Sequence, residues 1–234
     1  MKTIFIGTYY QVKTFLRIKK ALFFSFIFPP FIYIIFSQIW GPSNPEYQKF
    51  LLTGIIILTV TSDSLFSVGN VIVEYYQSGL IKFFKVIPYN FNYHLISLFF
   101  SRVLIIFLST LTLLLIAHII NHLTLTLSEL IDVALGMIAG IFIFSLLGII
   151  VAHYTKENTQ NLSLTNLLFF SLIFLSDMFY PLSELNPAFV KIISINPITA
   201  ILKISRGTPD LISLLIWVIF LFVIHSFFFI KKKQ

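Results

Sequence analysis

Six apolar stretches, each about 20 residues long, constrain the fold of this 234-residue chain more than any other feature. An α-helix needs about 20 residues to cross the roughly 30 Å hydrocarbon core of a bilayer. Hydrophobic residues make up 58% of the chain and charged residues 11%, whereas soluble domains carry about 25% charged residues. A soluble domain of this size lacks an interior large enough to hide so much apolar surface. The sequence therefore predicts an all-α polytopic membrane protein.

The predicted spans leave no room for a separate soluble domain, so residues 1–234 are expected to form one transmembrane domain. The first apolar stretch follows a polar lead and is too long for the apolar core of a signal peptide. We therefore expect it to be retained as a span. The six spans are expected at residues 21–40, 51–73, 95–120, 130–153, 162–180 and 211–230.

Basic residues predict the orientation, because cytoplasmic loops of membrane proteins are enriched in Lys and Arg. With the N-terminus inside, all of the 16 basic residues fall on the inner side except Lys49, Lys191, Lys203 and Arg206. An even number of spans also places the C-terminus inside. We expect a multi-pass protein of the cell membrane with both termini in the cytoplasm. The net charge of +7 then needs no nucleic acid as a partner.

Residues 1–20 have the pattern of an interfacial helix. Apolar and aromatic side chains recur at helical spacing on one face, and basic side chains occupy another face. Such a helix suits the headgroup region of membrane lipid, where it would anchor the first span. The apolar face carries Phe5, Tyr9, Val12 and Leu16, and the basic face carries Lys13, Arg17 and Lys20.

Several kinds of catalytic or cofactor site are excluded by the sequence. The chain has no cysteine, which removes disulfides, thiol catalysis and cysteine-ligated metals. It has no G-x-x-x-x-G-K-[ST], G-x-S-x-G or H-E-x-x-H motif. We therefore expect no enzyme activity and no bound cofactor in this chain. His118 and His122 are one helical turn apart, but two ligands without a carboxylate or thiolate make a weak metal site.

The loop between the second and third spans carries an amphipathic pattern. After Gly79, apolar residues recur at the i, i+3, i+4 and i+7 positions of one helix face, while two lysines fall on another face. Pro88 prevents this helix from continuing far. A short helix along the cytoplasmic surface is therefore expected, either as a simple connector or as a docking element. Its apolar positions are Leu80, Phe83, Phe84 and Ile87.

The string EYYQSGLIKFFKVIPYN at residues 74–90 resembles a segment in the permease subunits of type-2 ABC exporters. In that family an acidic residue ends the second span, a glycine follows, and a Leu/Phe-containing helix stops at a proline. Tyr75 and Tyr76 depart from the family, which often carries a basic residue and another glutamate there. The matching positions here are Glu74, Gly79, Leu80, Phe84 and Pro88.

The resemblance implies a role for this segment and a set of partners. In the family, the short helix is a coupling helix that docks on a separate ATPase subunit, which binds ATP and Mg²⁺. A second permease copy, identical or similar, completes the translocation path. The implied cargo is hydrophobic or amphiphilic, with a drug or an antimicrobial peptide preferred and with lipid or polysaccharide as alternatives. The coupling residues would be Glu74, Gly79, Leu80, Phe83, Phe84, Ile87 and Pro88.

The segment before the last span, residues 181–209, contains Asn-Pro twice. Asn is a strong N-cap and Pro is favoured at the first helical position, so Pro187 and Pro197 each predict a helix start. Both helices are apolar and too short to span. They are expected either as an outward-side re-entrant hairpin or as an interfacial connector. In the family resembled, such a hairpin precedes the last span and ends in Arg-Gly, which Arg206 and Gly207 match.

Asp63 lies near the middle of the second predicted span. A charge at that depth costs roughly 2.5–3.5 kcal/mol on insertion scales, so it is expected to face protein or water. It would either line a pathway or make an interhelical hydrogen bond. By contrast, Arg102 is close enough to a span end for its side chain to reach the cytoplasmic interface.

Two other functions remain as alternatives. A secondary transporter or channel would show paired intramembrane charges or two similar halves, and we find one central Asp and no repeat. A membrane-embedded enzyme would need clustered His, Asp or Glu at one depth, which is also missing from the sequence.

Overall fold

Helices make up most of the described part of this chain. The computed structural model describes residues 2–41, 44–80, 86, 91–155, 157–181 and 190–231. No strand occurs among them. The helices are α1 Lys2–Phe15, α2 Lys19–Trp40, α3 Pro45–Gln77, α4 Phe91–Asn121, α5 Leu127–Tyr154, α6 Asn158–Phe174, α7 Val190–Ile195, α8 Pro197–Ser205 and α9 Leu211–Lys231.

Four helices are long and apolar enough to cross a membrane, and they coincide with the first four predicted spans. The fifth predicted span, 162–180, corresponds to the 17-residue helix α6, which ends at Phe174. The sixth corresponds to α9, whose described apolar part, Leu211–Ile224, is shorter than the other four. The all-helical class is confirmed, and four of the six predicted spans meet the length that a membrane requires.

The early end of α6 has a physical cause in Asn196. Its side-chain amide donates to the carbonyls of Leu172, at 2.7 Å, and Leu175, at 2.8 Å. The last carbonyls of a helix have no partner within the helix, and an outside donor of this kind satisfies them. The same Asn196 accepts from the backbone N–H of Ile198 at 2.9 Å and so caps the start of α8. One side chain therefore ends α6 and begins α8.

Helix α3 is the centre of the bundle. In its most apolar stretch 78% of the residues are buried, against 28% in α2 and 33% in α4. It packs most extensively against α5. A Cβ added at Gly148 of α5 would lie 2.7 Å from the Leu65 carbonyl oxygen, and one at Gly69 would lie 3.0 Å from the Gly148 carbonyl oxygen. Small residues at such a crossing let two helix backbones come into contact.

Helix α1 packs against the first half of α4. Thr8 donates to the Ser97 carbonyl at 3.4 Å, and Ser97 donates to the Ile4 carbonyl at 3.2 Å. Phe5 and Tyr9 on the predicted apolar face remain 78% and 56% exposed. An exposed apolar face on a helix beside the spans is the arrangement expected of an interfacial helix.

The start of α5 is stabilised by a capping box. The Thr126 side chain accepts from the backbone N–H of Glu129 at 3.4 Å, and the Glu129 carboxylate accepts from the Thr126 N–H at 2.7 Å. This reciprocal pair satisfies two backbone donors at the helix start. Lys49 of α3 also donates to Glu129 at 2.6 Å, which links the starts of the two central helices.

We expect Thr126→Ala to lower the free energy of unfolding by about 1 kcal/mol, because it leaves an orphan backbone donor at the helix start. Thermal unfolding of the purified protein in detergent measures the change. Thr124→Ala is the matched control, since Thr124 is exposed and lies outside the capping box. Equal midpoints for the two variants would contradict the assigned cap.

Candidate functional site

A groove of about 830 Å³ lies between α2, α3 and α6. Apolar and aromatic side chains form most of its wall, and a few polar groups interrupt them. A large apolar cleft with a small number of convergent polar groups is the usual form of a ligand site. Its lining residues are Lys20, Phe24, Phe28, Pro29, Ile32, Leu58, Thr59, Ser62, Asp63, Phe66, Asn70, Leu162, Asn166, Phe169, Phe170, Ile173, Phe174 and Phe179.

The structure places Asp63 in this groove and gives it a partner on α2. The Ser25 hydroxyl lies 2.9 and 3.0 Å from the two carboxylate oxygens of Asp63 and donates to them. Ser25 lies in a π-helical segment, Phe23–Ile27, within α2. Such local widening is frequent at functional sites. The Ser109 hydroxyl of α4 donates to the Ser25 carbonyl, so three helices meet at this point.

Two other hydroxyls of α3 near Asp63 donate to backbone carbonyls of their own helix. Thr59 donates to the Ile55 carbonyl at 3.0 Å, and Ser62 donates to the Thr59 carbonyl at 3.1 Å, both within α3. These two hydroxyls therefore do not donate to the carboxylate. Its partner comes from α2, which sequence reasoning missed because Ser25 has no distinguishing local pattern.

Arg102 is buried by protein, whereas the sequence suggested a side chain that extends to water at the cytoplasmic interface. The residue is only 6% exposed, and its guanidinium carbon lies 5.1 Å from the centre of the Phe15 ring. Its Nε and Nη1 atoms are buried without a hydrogen-bond partner among the described residues. Phe15 is the last residue of helix α1, so this contact joins α1 to α4. Arg102 thus stays among the helices, within electrostatic range of Asp63.

Asn70, which lines the groove, takes part in a polar link between α3 and α6. The Asn161 amide donates to the Asn70 side-chain oxygen at 2.6 Å, and Thr155 donates to Asn161 at 3.1 Å. Asn161 is fully buried. A buried amide needs such partners, because an unsatisfied polar group in an apolar interior is costly. The link holds two walls of the groove together.

The structure describes part of the segment after α3. Gly79 has a φ of +74°, the left-handed region that suits glycine at a helix end, so α3 ends where the sequence predicted a break. Glu74 is in the last turn of α3, and Leu80 is partly buried. The other predicted coupling residues, Phe83, Phe84, Ile87 and Pro88, lie outside the described residues.

A polar cluster that the sequence did not reveal flanks this segment on both sides. Tyr75 of α3 and His94 of α4 are joined by a hydrogen bond of 2.7 Å between the Tyr hydroxyl and His Nε2. The Gln11 amide of α1 lies 3.4 Å from the Tyr75 hydroxyl and 3.3 Å from His94 Nε2. The end of α3 and the start of α4 are therefore joined to each other and to α1.

The second Asn-Pro pair starts a helix, as predicted. Asn196 is the N-cap and Pro197 the first residue of the nine-residue helix α8. Almost every residue of α8 is buried, with Ile198 and Ile201 fully so. The first pair, with Pro187, lies outside the described residues.

Arg206, at the end of α8, is bound by the start of α3 and the segment after α6. Its guanidinium donates to the Thr53 hydroxyl at 3.1 Å and to the carbonyls of Phe50 at 3.2 Å and Asp177 at 3.0 Å. The guanidinium carbon lies 3.6 Å from the Phe50 ring centre. The nearby Lys203 makes an exposed salt bridge of 3.0 Å to Asp210, and this hydrogen bond holds the pKa of Asp210 below its ordinary value.

We expect Arg206→Ala to lower the free energy of unfolding by about 3 kcal/mol, because three hydrogen bonds from a charged group and a cation–π contact are lost. Lys203→Ala is the control and should cost less than about 1 kcal/mol, as exposed ion pairs do. Chemical denaturation of both variants in detergent gives the comparison. A larger effect at Lys203 would show that Arg206 does not anchor α8.

No group of three or more His, Asp or Glu suitable for a metal ion occurs within the described ranges. The pair His118 and His122 does not share a helix face, since α4 ends at Asn121 and His122 has a φ of +51°. His118 Nδ1 lies 3.3 Å from the Leu123 carbonyl oxygen, an interaction within the turn.

Comparison with known families identifies the chain. The model of the ABC-2 type transporter family matches residues 3–209, which is nearly the whole chain. No curated protein matches the chain significantly. The apolar helices long enough to cross a bilayer agree with the family, whose members are multi-pass membrane proteins that normally pair with an ATPase subunit. The chain belongs to the ABC-2 type transporter family and is a membrane-spanning ABC transporter permease.

Proposed function

We propose that this chain is the permease subunit of an ABC exporter and that the groove between α2, α3 and α6 is its half of the translocation path. The observation that carries the proposal is the position of Asp63, a partly exposed carboxylate in an apolar groove of about 830 Å³. Intramembrane carboxylates are rare and mark transport pathways. The preferred cargo is a hydrophobic or amphiphilic molecule, such as a drug or an antimicrobial peptide.

The path requires a second copy or a similar subunit. The groove is formed by one side of the bundle, and its wall residues Phe170 and Phe174 are 52% and 72% exposed. Two such grooves facing each other would enclose a path that lipid does not enter. Large exposed apolar surface beside a polar group is typical of an interaction site.

In the proposed topology six spans cross the membrane and both termini are cytoplasmic. Helices α7 and α8 then form an outward-side re-entrant hairpin. The burial of α8 supports this assignment, because non-helical turns at membrane depth are tolerated only where protein covers them. Arg206 and Asn196 would hold this gate to α3 and α6.

Energy would come from a separate ATPase subunit that binds ATP and Mg²⁺. The segment around Leu80–Ile87 would dock on that subunit and transmit its movement to α3 and α4. The cluster of Gln11, Tyr75 and His94 supports this role, because it links both ends of the segment to the bundle. A rigid connection at these points would carry displacement into the spans rather than absorb it.

Copurification tests the proposal. We expect the tagged chain, extracted in mild detergent, to retain an ATPase subunit whose turnover rises or falls at least severalfold when the permease is present. The ATPase expressed alone is the control. Failure to retain any ATPase, together with substrate efflux that continues without one, would exclude the ABC exporter and favour a secondary transporter.

A further inference from the structure

The carboxylate of Asp63 makes no salt bridge within the part of the chain that the structure describes. The salt bridges among the described residues join Lys49 to Glu129 and Lys203 to Asp210. The described donor to Asp63 is the single hydroxyl of Ser25. A carboxylate accepts at two oxygens with about four lone pairs, so one hydroxyl leaves it far from satisfied. The partly exposed side chain directs this remaining capacity into the groove.

Arg102 does not supply the missing cation. It attracts Asp63 through space, but it makes no salt bridge to it among the described residues and packs on the Phe15 ring instead. Arg102 also does not line the groove. A ligand that enters the groove therefore meets the carboxylate and not the guanidinium.

One basic residue, Lys20, also lines the groove. Lys20 lies five residues before Ser25 on α2, about 7 Å along the helix axis, and is exposed. At that position, next to Lys19 and Arg17, its charge is accessible to water and headgroups. The part of the groove next to Asp63 and Ser25 thus carries one negative charge and no described positive charge.

Aromatic rings line the groove near Asp63. Phe24 is next to Ser25, and Phe66 lies one turn beyond Asp63 on α3. The Phe66 ring contacts the Phe169 ring of α6 edge to face, with centroids 5.3 Å apart. Phenyl faces attract cations, and the attraction strengthens when water is excluded. Rings and carboxylate therefore favour the same sign of ligand charge.

We propose that this groove binds hydrophobic organic cations, with the ligand charge beside Asp63 and its apolar substituents against the phenylalanine rings. The inference rests on the proposed function, since it assigns a substrate class to the proposed path. The binding itself requires neither nucleotide nor the ATPase subunit, so it can be measured on the permease alone.

Two ions of matched shape and opposite charge test the proposal. Saturable binding of tetraphenylphosphonium and of tetraphenylborate is measured separately on the purified full-length permease. We expect Asp63→Asn to weaken tetraphenylphosphonium binding about tenfold or more, because an ionic contact in a low-dielectric site is lost. Tetraphenylborate binding should be unchanged or stronger in the same variant. Asp63→Glu, which keeps the charge, should retain most of the phosphonium affinity.

Glu157→Gln is the control, because it removes an exposed carboxylate outside the groove. It should leave the binding of both ions unchanged. Equal phosphonium affinity in the wild type and in Asp63→Asn would overturn the proposal. Absence of saturable phosphonium binding in the wild type, because a second copy fills the groove, would overturn it as well. If Asp63→Asn does not fold, loss of phosphonium binding in the folded Asp63→Glu variant would also overturn it. ATPase copurification is scored separately, so a failure there rejects the proposed function and not this binding result.

Discussion

Replacement of Leu80 and Phe84 by aspartate is expected to abolish association with the ATPase subunit while the chain still inserts. Both positions belong to the apolar face of the proposed coupling helix, which would lie in an apolar groove of the partner. Central apolar anchors of an interface contribute about 2 kcal/mol or more each. Loss of two anchors weakens binding by roughly a thousandfold, which is enough to remove the ATPase from a copurified sample.

The control for this double variant lies in the same segment. Val86 is 84% exposed and falls outside the i, i+3, i+4, i+7 set, so Val86→Asp adds a charge next to the proposed contact face. It should retain most of the ATPase. Copurification and transport are measured for both variants, with membrane insertion checked by extraction. Normal ATPase retention in the Leu80/Phe84 variant would remove the coupling assignment.

The second large effect is expected from Gly148→Leu, which should disrupt the packing of α3 against α5. The added Cβ would lie 2.7 Å from the Leu65 carbonyl oxygen, and backbone atoms cannot move aside as a side chain can. Overpacking commonly costs 1–3 kcal/mol, and a backbone contact at the central crossing should cost about 3 kcal/mol or more. We expect a large loss of monodisperse protein in size-exclusion chromatography and a lower thermal midpoint.

Ala139→Leu provides the comparison on the same helix. Ala139 lines a separate apolar groove of about 530 Å³, so a larger side chain has room there. Both substitutions introduce leucine into α5, so a general effect of leucine on insertion would appear in both. Similar behaviour of the two variants would mean that the Gly69–Gly148 contact is not what holds α3 and α5 together.

The sequence predicted the elements whose signals are local. The first four spans follow from runs of apolar side chains, since each run must be covered by lipid or protein over the bilayer thickness. The break at Gly79 and the start of α8 at Pro197 also follow from neighbouring residues, through a left-handed backbone and an N-cap. Asp63 stood out because a charge inside an apolar run is rare.

The end of the fifth predicted span required long-range information. Hydropathy continues past Phe174, so the sequence placed the end at residue 180. The helix ends earlier because Asn196, more than 20 residues further along the chain, donates to its last carbonyls. No window of sequence around Phe174 contains that donor.

The environment of Arg102 also depends on residues that are distant in the sequence. Its position near a helix end predicted an interfacial side chain, which is correct for an isolated span. In the bundle, α1 lies against α4 and the Phe15 ring covers the guanidinium. Packing between helices therefore buries a side chain that hydropathy alone placed in contact with water.

The sequence by itself therefore determined the membrane class, the first four spans, the helix break at Gly79 and the presence of a carboxylate at mid-span. Only the tertiary structure decided that Ser25 holds this carboxylate, that α2, α3 and α6 form a groove around it, and that Arg102 is buried. Whether a segment can span lipid depends on its own side chains, so its hydropathy is enough to predict it. Which side chains meet depends on how helices distant in sequence are rotated and packed against each other, and composition and periodicity do not specify that arrangement.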